Sequence, residues 1–418
     1  MKRFKSIFQH FRWHYKAILL VFVCVCISTL SAKGDNVDYD SLEISLLTCE
    51  PHQEIYALYG HTALRVHDLR PGGQDFAINY GVFDFDAPNF EWRFIMGTSD
   101  YSVEAFSFAL FKAEYVKAGS KVTEQVLNLT ATEKQKIMTA LYINLLPGNK
   151  NYRYNYFFDN CTTRARNLIA SNLDATVNYN NDADGKERES FRELIHGYNG
   201  QYPWARFGND ILLGYPADKP TKYDEWQFLP KELMNDFATA TLQSDTTKER
   251  KLVKETRTVV KAGKQKPMSE FPLRPSVCFI ILLAITMIIT AVEWGKKKLF
   301  WIYDALLMAA VGLCGILLFL MIFSHHPTVS LNFQLLLLNP LPLFFGWFAL
   351  RDARRGKVHW YLYLSLLLII LFFTCGLLQH YAEGMYFLAL SLLIRVVTII
   401  MKYHKMAKKV KVSHLNNK

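Results

Sequence analysis

Cys161 in "NYFFDNCTTRARNLI", His61 in "LYGHTALRV" and Asn79 in "FAINYG" have the types and order needed for nucleophilic catalysis. A cysteine attacks a carbonyl as its thiolate, a base must take the proton, and a polar group must fix the base's tautomer. Cys161 follows an aromatic, strand-like run and begins a helical pattern, which predicts a place at a helix N-terminus. Backbone N–H groups and the macrodipole there favour a thiolate. Arg164 and Arg166 add positive charge nearby. His61 follows Gly60 and opens an apolar strand, so the loop-to-strand edge is expected to present its ring to a cleft. Asn79 lies on the next strand, placed to bond the far ring nitrogen. Asn160 and Thr162 are available as helix caps. With Tyr80, Asp159 and Arg164 they are also the candidates for substrate or oxyanion contacts, beside the N–H groups of the helix start.

A structural alternative competes with this chemistry. Of the seven cysteines, Cys24 and Cys26 lie in an N-terminal apolar run and Cys278, Cys314 and Cys375 in C-terminal ones. Only Cys49 and Cys161 remain, and in an oxidising compartment they invite a disulfide. Two metal motifs fail. "NNDADGKERESF" (180–191) resembles a calcium loop but has Phe191 where the bidentate Glu belongs. His52, His61 and His67 lack a second ligand group at zinc spacing. Neither a metal nor a cofactor is expected.

The elements that must position these residues are legible in part. "SLEISLLT" (41–48), "TALRVH" (62–67), "QDFAINYGVFDF" (74–85) and "VTEQVLNL" (122–129) read as strands. "TATEKQKIMTALYINLL" has a threonine cap and helical spacing of Ile137, Leu141 and Leu145. "DYSVEAFSFALFKAEYVKAG" fits either strand or helix. The class is α+β.

The two ends are different in kind. "MKRFKSIFQHFRWHYK" followed by "AILLVFVCVCISTLSA" has the layout of a secretory signal or N-terminal anchor over 1–32. Apolar runs at 277–292, 299–323, 332–350, 359–379 and 384–401 are each near bilayer-spanning length. "GKKK", "RDARRGK" and the tail "KYHKMAKKVK" are basic, whereas "SHHPTVS" and "QHYAEG" contain neither Lys nor Arg. The positive-inside rule puts the basic connections in the cytoplasm. Five spans then begin outside and end inside, as an exported N-terminal domain requires. The formal charge of +11 therefore reports topology, and no nucleic-acid partner is expected. Expected divisions are a domain over 33–266, a Pro-rich hinge over 267–275, five spans over 276–401 and a cytoplasmic tail over 402–418. "KERKLVKETRTVVKAGKQK" (248–266) reads either as a contact to anionic headgroups or as a solvated helix and linker. "NPLP" (339–342) should break the third span, and Asp304 and Arg395 lie at equal depth, placed to pair.

"SLLTCEPHQEIYALYGHTALRV", "INYGVFDF" and "NYFFDNCTTRARNLI" together resemble the Lnb-type lipoprotein N-acyltransferases of Bacteroidota. The resemblance covers the whole layout and implies a permuted, NlpC-type papain-like exported domain followed by an all-α five-span membrane domain. It maps the family's cysteine to Cys161 and its histidine to His61. Asn79, or else Tyr80 or Asp159, would orient the base. The implied activity is acyl transfer at the outer face of the inner membrane, from a phospholipid donor through a Cys161 thioester to a diacylated lipoprotein. Tyr152, Tyr154, Tyr156, Phe157 and Phe158 would wall an acyl channel or form core. Two other readings stay open: a membrane-anchored papain-like cell-wall peptidase, and an envelope assembly protein with a Cys49–Cys161 disulfide. The residues alone support an exported Cys–His domain on a membrane anchor.

Overall fold

The computed structural model describes residues 38–84, 87–179, 188–222, 224–244, 249–265, 270–296 and 298–415. The expected leader over 1–32 and most of the polar loop over 180–191 lie outside them. In the N-terminal part the strands are β1 (Leu42–Cys49), β2 (His61–Asp68), β3 (Asp75–Val82), β4 (Asp100–Ser107), β5 (Val122–Leu127), β6 (Asn151–Arg153), β7 (Thr176–Asn178), β8 (Thr241–Gln243), β9 (Arg250–Lys251) and β10 (Val253–Val260). Seven of these form an antiparallel sheet in the order β10-β5-β1-β2-β3-β4-β6, and β7, β8 and β9 form a second, small one. Around them lie helices α1 (Phe90–Ile95), α2 (Phe108–Ala118), α3 (Ala131–Leu145), α4 (Cys161–Ala170), α5 (Phe191–Asn199), α6 (Pro203–Leu212) and α7 (Pro230–Thr239).

Both faces of the central strands are covered, which explains why "LEISLLTC" is buried almost throughout, its Ser45 and Thr48 included. Ile44, Leu46, Leu64 and Ile78 pack with Ile137, Leu141, Ala165, Ile169 and Phe237 of α3, α4 and α7. Their neighbours Leu47, Cys49, Ala63 and Ala77 pack under Phe108, Phe111 and Tyr115 of α2. The ambiguous 100–119 segment divides at Ser107, whose hydroxyl accepts the Leu110 N–H and starts α2. The basic segment before the first apolar helix contains an edge strand rather than a helix or linker. β10 pairs with β5, and its Thr256, Thr258, Val259 and Val260 supply the β-branched character.

The C-terminal part consists of α8 (Pro275–Lys296), α9 (Trp301–Met321), α10 (Leu341–Arg354), α11 (Trp360–Cys375) and α12 (Met385–Leu415). Among the described residues four helical stretches are long and apolar enough to cross a membrane: Pro275–Lys296, Trp301–Met321, Phe333–Arg354 and Met385–Lys402. The fourth expected span is shorter. α11 has 16 residues, about 24 Å of helix against a hydrocarbon core of about 30 Å. A 3-10 turn over Phe333–Leu336 and a fresh start at Leu341 break the third run at the "NPLP" segment. Near the other end of the bundle, Arg395 makes two-pronged pairs with Asp304 and with Glu293, at 2.6–2.9 Å. One guanidinium thereby ties α8, α9 and α12 together, and all three charged groups are buried.

The N-terminal domain sits on the loops that join these helices. Gly214 N–H donates to Thr328 O and Tyr215 N–H to Leu331 O, while Gln334 reaches Asp210 O and Gln379 reaches Leu213 O. The buried Arg192 gathers Asp210 and Asp218 beneath this contact, and His380 bonds Asp218. The described end of the expected hinge is fastened too, with Trp204 Nε1 donating to Leu273 O and Arg274 pairing with Glu383.

Candidate active site

α4 begins at Cys161 because Asn160 caps it from extended backbone. Its Oδ1 accepts the N–H groups of Thr162 and Thr163 at 2.9 Å, and the Thr163 hydroxyl accepts the Asn160 N–H. Both amide hydrogens of Asn160 go to Tyr156 O and Phe228 O, which leaves that side chain fully bonded. Ahead of the cap the expected strand is short. β6 ends at Arg153, and a tight loop follows in which Asn155 and Asp159 exchange backbone hydrogen bonds. Asp159 then takes both prongs of Arg164 at 2.7 Å, and the guanidinium lies 3.5 Å over the Tyr152 ring. Arg166 turns to Asp224 O and Gln227. Neither arginine lies against the thiol.

His61 opens β2 directly opposite Cys49, and Ala63 lies opposite Asn79. Opposed residues of an antiparallel pair share a face, so His61 and Asn79 project on the same side of neighbouring strands. Their side chains meet, with His61 Nε2 and Asn79 Oδ1 2.9 Å apart. An amide oxygen requires Nε2–H as the donor, so the neutral ring carries its lone pair on Nδ1. Two glycines with positive φ flank the pair. Gly60 has φ +79°, and a Cβ there would stand 2.6 Å from Cys49 O. Gly81 has φ +84° in the irregular end of β3 after Asn79, and a Cβ there would meet the Cys161 Cβ at 3.6 Å.

The thiol and imidazole perturb each other. Burial pushes the Cys161 thiol up, but the His61 charge, a hydrogen bond to that ring, the Thr62 N–H and the Thr162 hydroxyl outweigh it and bring it down to about 7. The same contact raises His61: burial opposes its charge, and the Cys161 thiolate together with the Asn79 bond overcomes that. Cys49 behaves oppositely. It is 1 % exposed, and burial pushes its thiol far up, with only a Tyr115 hydrogen bond in opposition. Cys49 and Cys161 are both free thiols, so the bridge that the sequence allowed is not formed. Cys49 packs in the core beneath α2, on the face that its strand partner His61 shares.

The other sequence candidates lie around this pair in supporting positions. Tyr80 is 1 % exposed and its hydroxyl accepts from Asn144. Thr162 is fully buried and its hydroxyl lies 3.0 Å from that of Thr62. Tyr152 and Phe157 are core residues, while Phe158 is 41 % exposed. Thr62, Gly60 and Gly81 stand in the segments that carry the resemblance, but the sequence alone assigns them no role of their own. The available signal was their position, directly beside His61 and Asn79-Tyr80. Among the described residues no group of three or more His, Cys, Asp or Glu side chains is placed to hold a metal ion.

Fold and site define a membrane protein whose mixed α/β domain carries a Cys–His pair above apolar helices. Residues 31–197 match the Lnb N-terminal periplasmic domain and residues 266–406 match the Lnb transmembrane domain. The chain belongs to the Lnb family: it is a membrane protein of lipoprotein maturation with a periplasmic domain. No curated protein and no solved structure matches it significantly.

Proposed function

We propose that this chain is a cysteine-dependent acyltransferase that moves a fatty-acyl chain from a membrane phospholipid to the N-terminal amine of a diacylglyceryl-cysteine lipoprotein. The carrying observation is the Asn79–His61–Cys161 relay, with the thiol lowered to about 7, in a domain seated on apolar helices. His61 takes the Cys161 proton, and Sγ attacks the ester carbonyl carbon. The C–S bond forms, the C–O bond breaks, and the proton passes from His61 to the leaving lysophospholipid oxygen. The lipoprotein amine then attacks the thioester carbonyl. The N–C bond forms, the C–S bond breaks, and the amine proton returns through His61 to the Cys161 thiolate.

The Cys161 N–H is the oxyanion donor we assign, because Asn160 Oδ1 engages the next two N–H groups. Asn160, Thr162, Asp159 and Arg164 then hold the helix and its loop, and Tyr80 bonds Asn144 of α3, rather than the substrate. The order His, Asn, Cys on two strands and a helix start supports a permuted papain-like domain over 33–266. Five crossings of the inner membrane, with the basic tail inside, complete the reading, α11 being the short one.

The test uses the full-length protein in phospholipid vesicles with a synthetic diacylglyceryl-cysteine lipopeptide. The lipopeptide should gain the mass of one acyl chain, with a lysophospholipid released in equal amount. Transfer by Cys161→Ala at the unaltered rate would refute the proposal.

A further inference from the structure

An aromatic row leads away from the site. Phe83 follows Gly81, the residue beside Cys161, by two positions. Its ring centroid is 5.8 Å from that of Tyr56 and 5.7 Å from that of Phe90, with which it is stacked. Phe90 stacks in turn on Phe94 at 6.3 Å, and Phe94 meets His326 at 6.2 Å. The row therefore starts two residues from Gly81, the neighbour of Cys161, and ends on the loop after α9.

That end is fixed by hydrogen bonds rather than by ring contact alone. Ser324 Oγ donates to Ile95 O, His325 N–H donates to Met96 O, and His326 Nε2 bonds Phe94 O. α1 is thus attached where α9 leaves its apolar stretch. The last part of α9 exposes Phe319 and, just past its end, Ile322 and Phe323 are also exposed, the last at 61 %. On α1 itself Trp92 is 49 % and Phe94 41 % exposed. The charge of Arg93 is turned aside onto Asp100 and Thr98 O. Exposed apolar surface of this extent marks an interaction site, and exposed Trp and Phe next to a membrane helix suit the lipid boundary.

We propose that the row Phe83–Phe90–Phe94 is the track on which the acyl chain of a membrane phospholipid reaches Cys161. The occupant follows from continuity: one end of the row joins the exposed apolar surface at the end of α9, and the other lies two residues from Gly81, which adjoins the group that attacks carbonyls. A phospholipid acyl chain has its tail in the bilayer and its ester at the opposite end, which matches both ends. Among the aromatic residues of Tyr152–Phe158, by contrast, Tyr152 and Phe157 are buried and Phe158 alone is exposed. The inference rests on the acyl-transfer reading, and its test separates the two.

Full-length Cys161→Ala in vesicles containing a phosphatidylethanolamine with a diazirine on its acyl chain is irradiated and digested. Crosslinks should fall on the Phe83–Phe94 segment, and Phe90→Asp should lower them about tenfold. Labelling confined to Phe319–Phe323 would overturn the track. In the Cys161-containing protein, Phe90→Asp and Phe94→Asp should each slow thioester formation from this lipid at least tenfold, while iodoacetamide alkylates Cys161 at the unaltered rate. Thioester formation at full rate in both variants would also overturn it. If even the unaltered protein forms no thioester, the acyl-transfer reading falls, and the crosslinks in Cys161→Ala still decide whether the row binds lipid.

Discussion

The hydroxyl oxygens of Thr62 and Thr162 lie 3.0 Å apart, and each belongs to the residue that follows a member of the His61–Cys161 pair. Both threonines are buried completely. This contact joins β2 to the first turn of α4 and fixes how far the imidazole stands from the thiol. Small displacements between reacting groups are expensive in rate, so the contact has a catalytic consequence without touching substrate.

Thr162→Val should therefore act twice. It leaves the Thr62 hydroxyl buried without its partner, which costs about 1–3 kcal/mol, and it loosens the thiol. Thermal unfolding in detergent should shift down and Cys161 alkylation should slow, with Thr162→Ser restoring both. A Val variant with unaltered Tm and alkylation would remove this role.

Cys161→Ala and His61→Ala should each abolish lipopeptide acylation while the protein still inserts in the membrane. Asn79→Ala keeps nucleophile and base but frees the ring, so the rate should fall by up to about 100-fold. Product mass after fixed incubation reads all three. Full activity of the Asn79 variant would assign the orienting role elsewhere.

The ionisation of Cys161 predicts a pH profile. With its thiol lowered to about 7, iodoacetamide alkylation should rise through neutral pH as the thiolate forms and fall away on acidification. His61→Ala removes the two largest influences that lower it and leaves burial, so the midpoint should move upward. Cys49 should stay unmodified across the range because it is buried and its thiol is pushed up. A midpoint indifferent to His61 would break the pair.

Arg395→Leu removes the cation shared by Asp304 and Glu293 and leaves two buried carboxylates. Breaking such a network from one side costs about 3–5 kcal/mol. The variant should lose detergent stability in a thermal scan, and an unchanged midpoint would show the three helices hold without the arginine.

Much of this was legible because it is local. The helix start at Cys161 follows from the Asn160 cap and the pattern after it, and the His61 and Asn79 strands follow from β-branched and aromatic runs beside turn residues. Asp304 and Arg395 could be paired by counting depth along two apolar runs. What escaped depends on contacts between distant segments. Glu293 joins Arg395 across 102 positions, and Thr62 joins Thr162 across 100. The arginines after Cys161 suggested thiolate support, but Asp159 and Asp224 O draw them away. β10 was hidden by its charge, because an edge strand exposes one side and its Lys254, Glu255 and Arg257 read as a solvated segment.

The most direct test of the central claim is the mass of the Cys161 peptide from protein purified out of membranes without reductant, measured before and after hydroxylamine. The account predicts a fatty-acyl adduct on Cys161 that hydroxylamine removes and that His61→Ala fails to form. A disulfide between Cys161 and Cys49, or a bare Cys161 thiol in protein that acylates the lipopeptide, would contradict it.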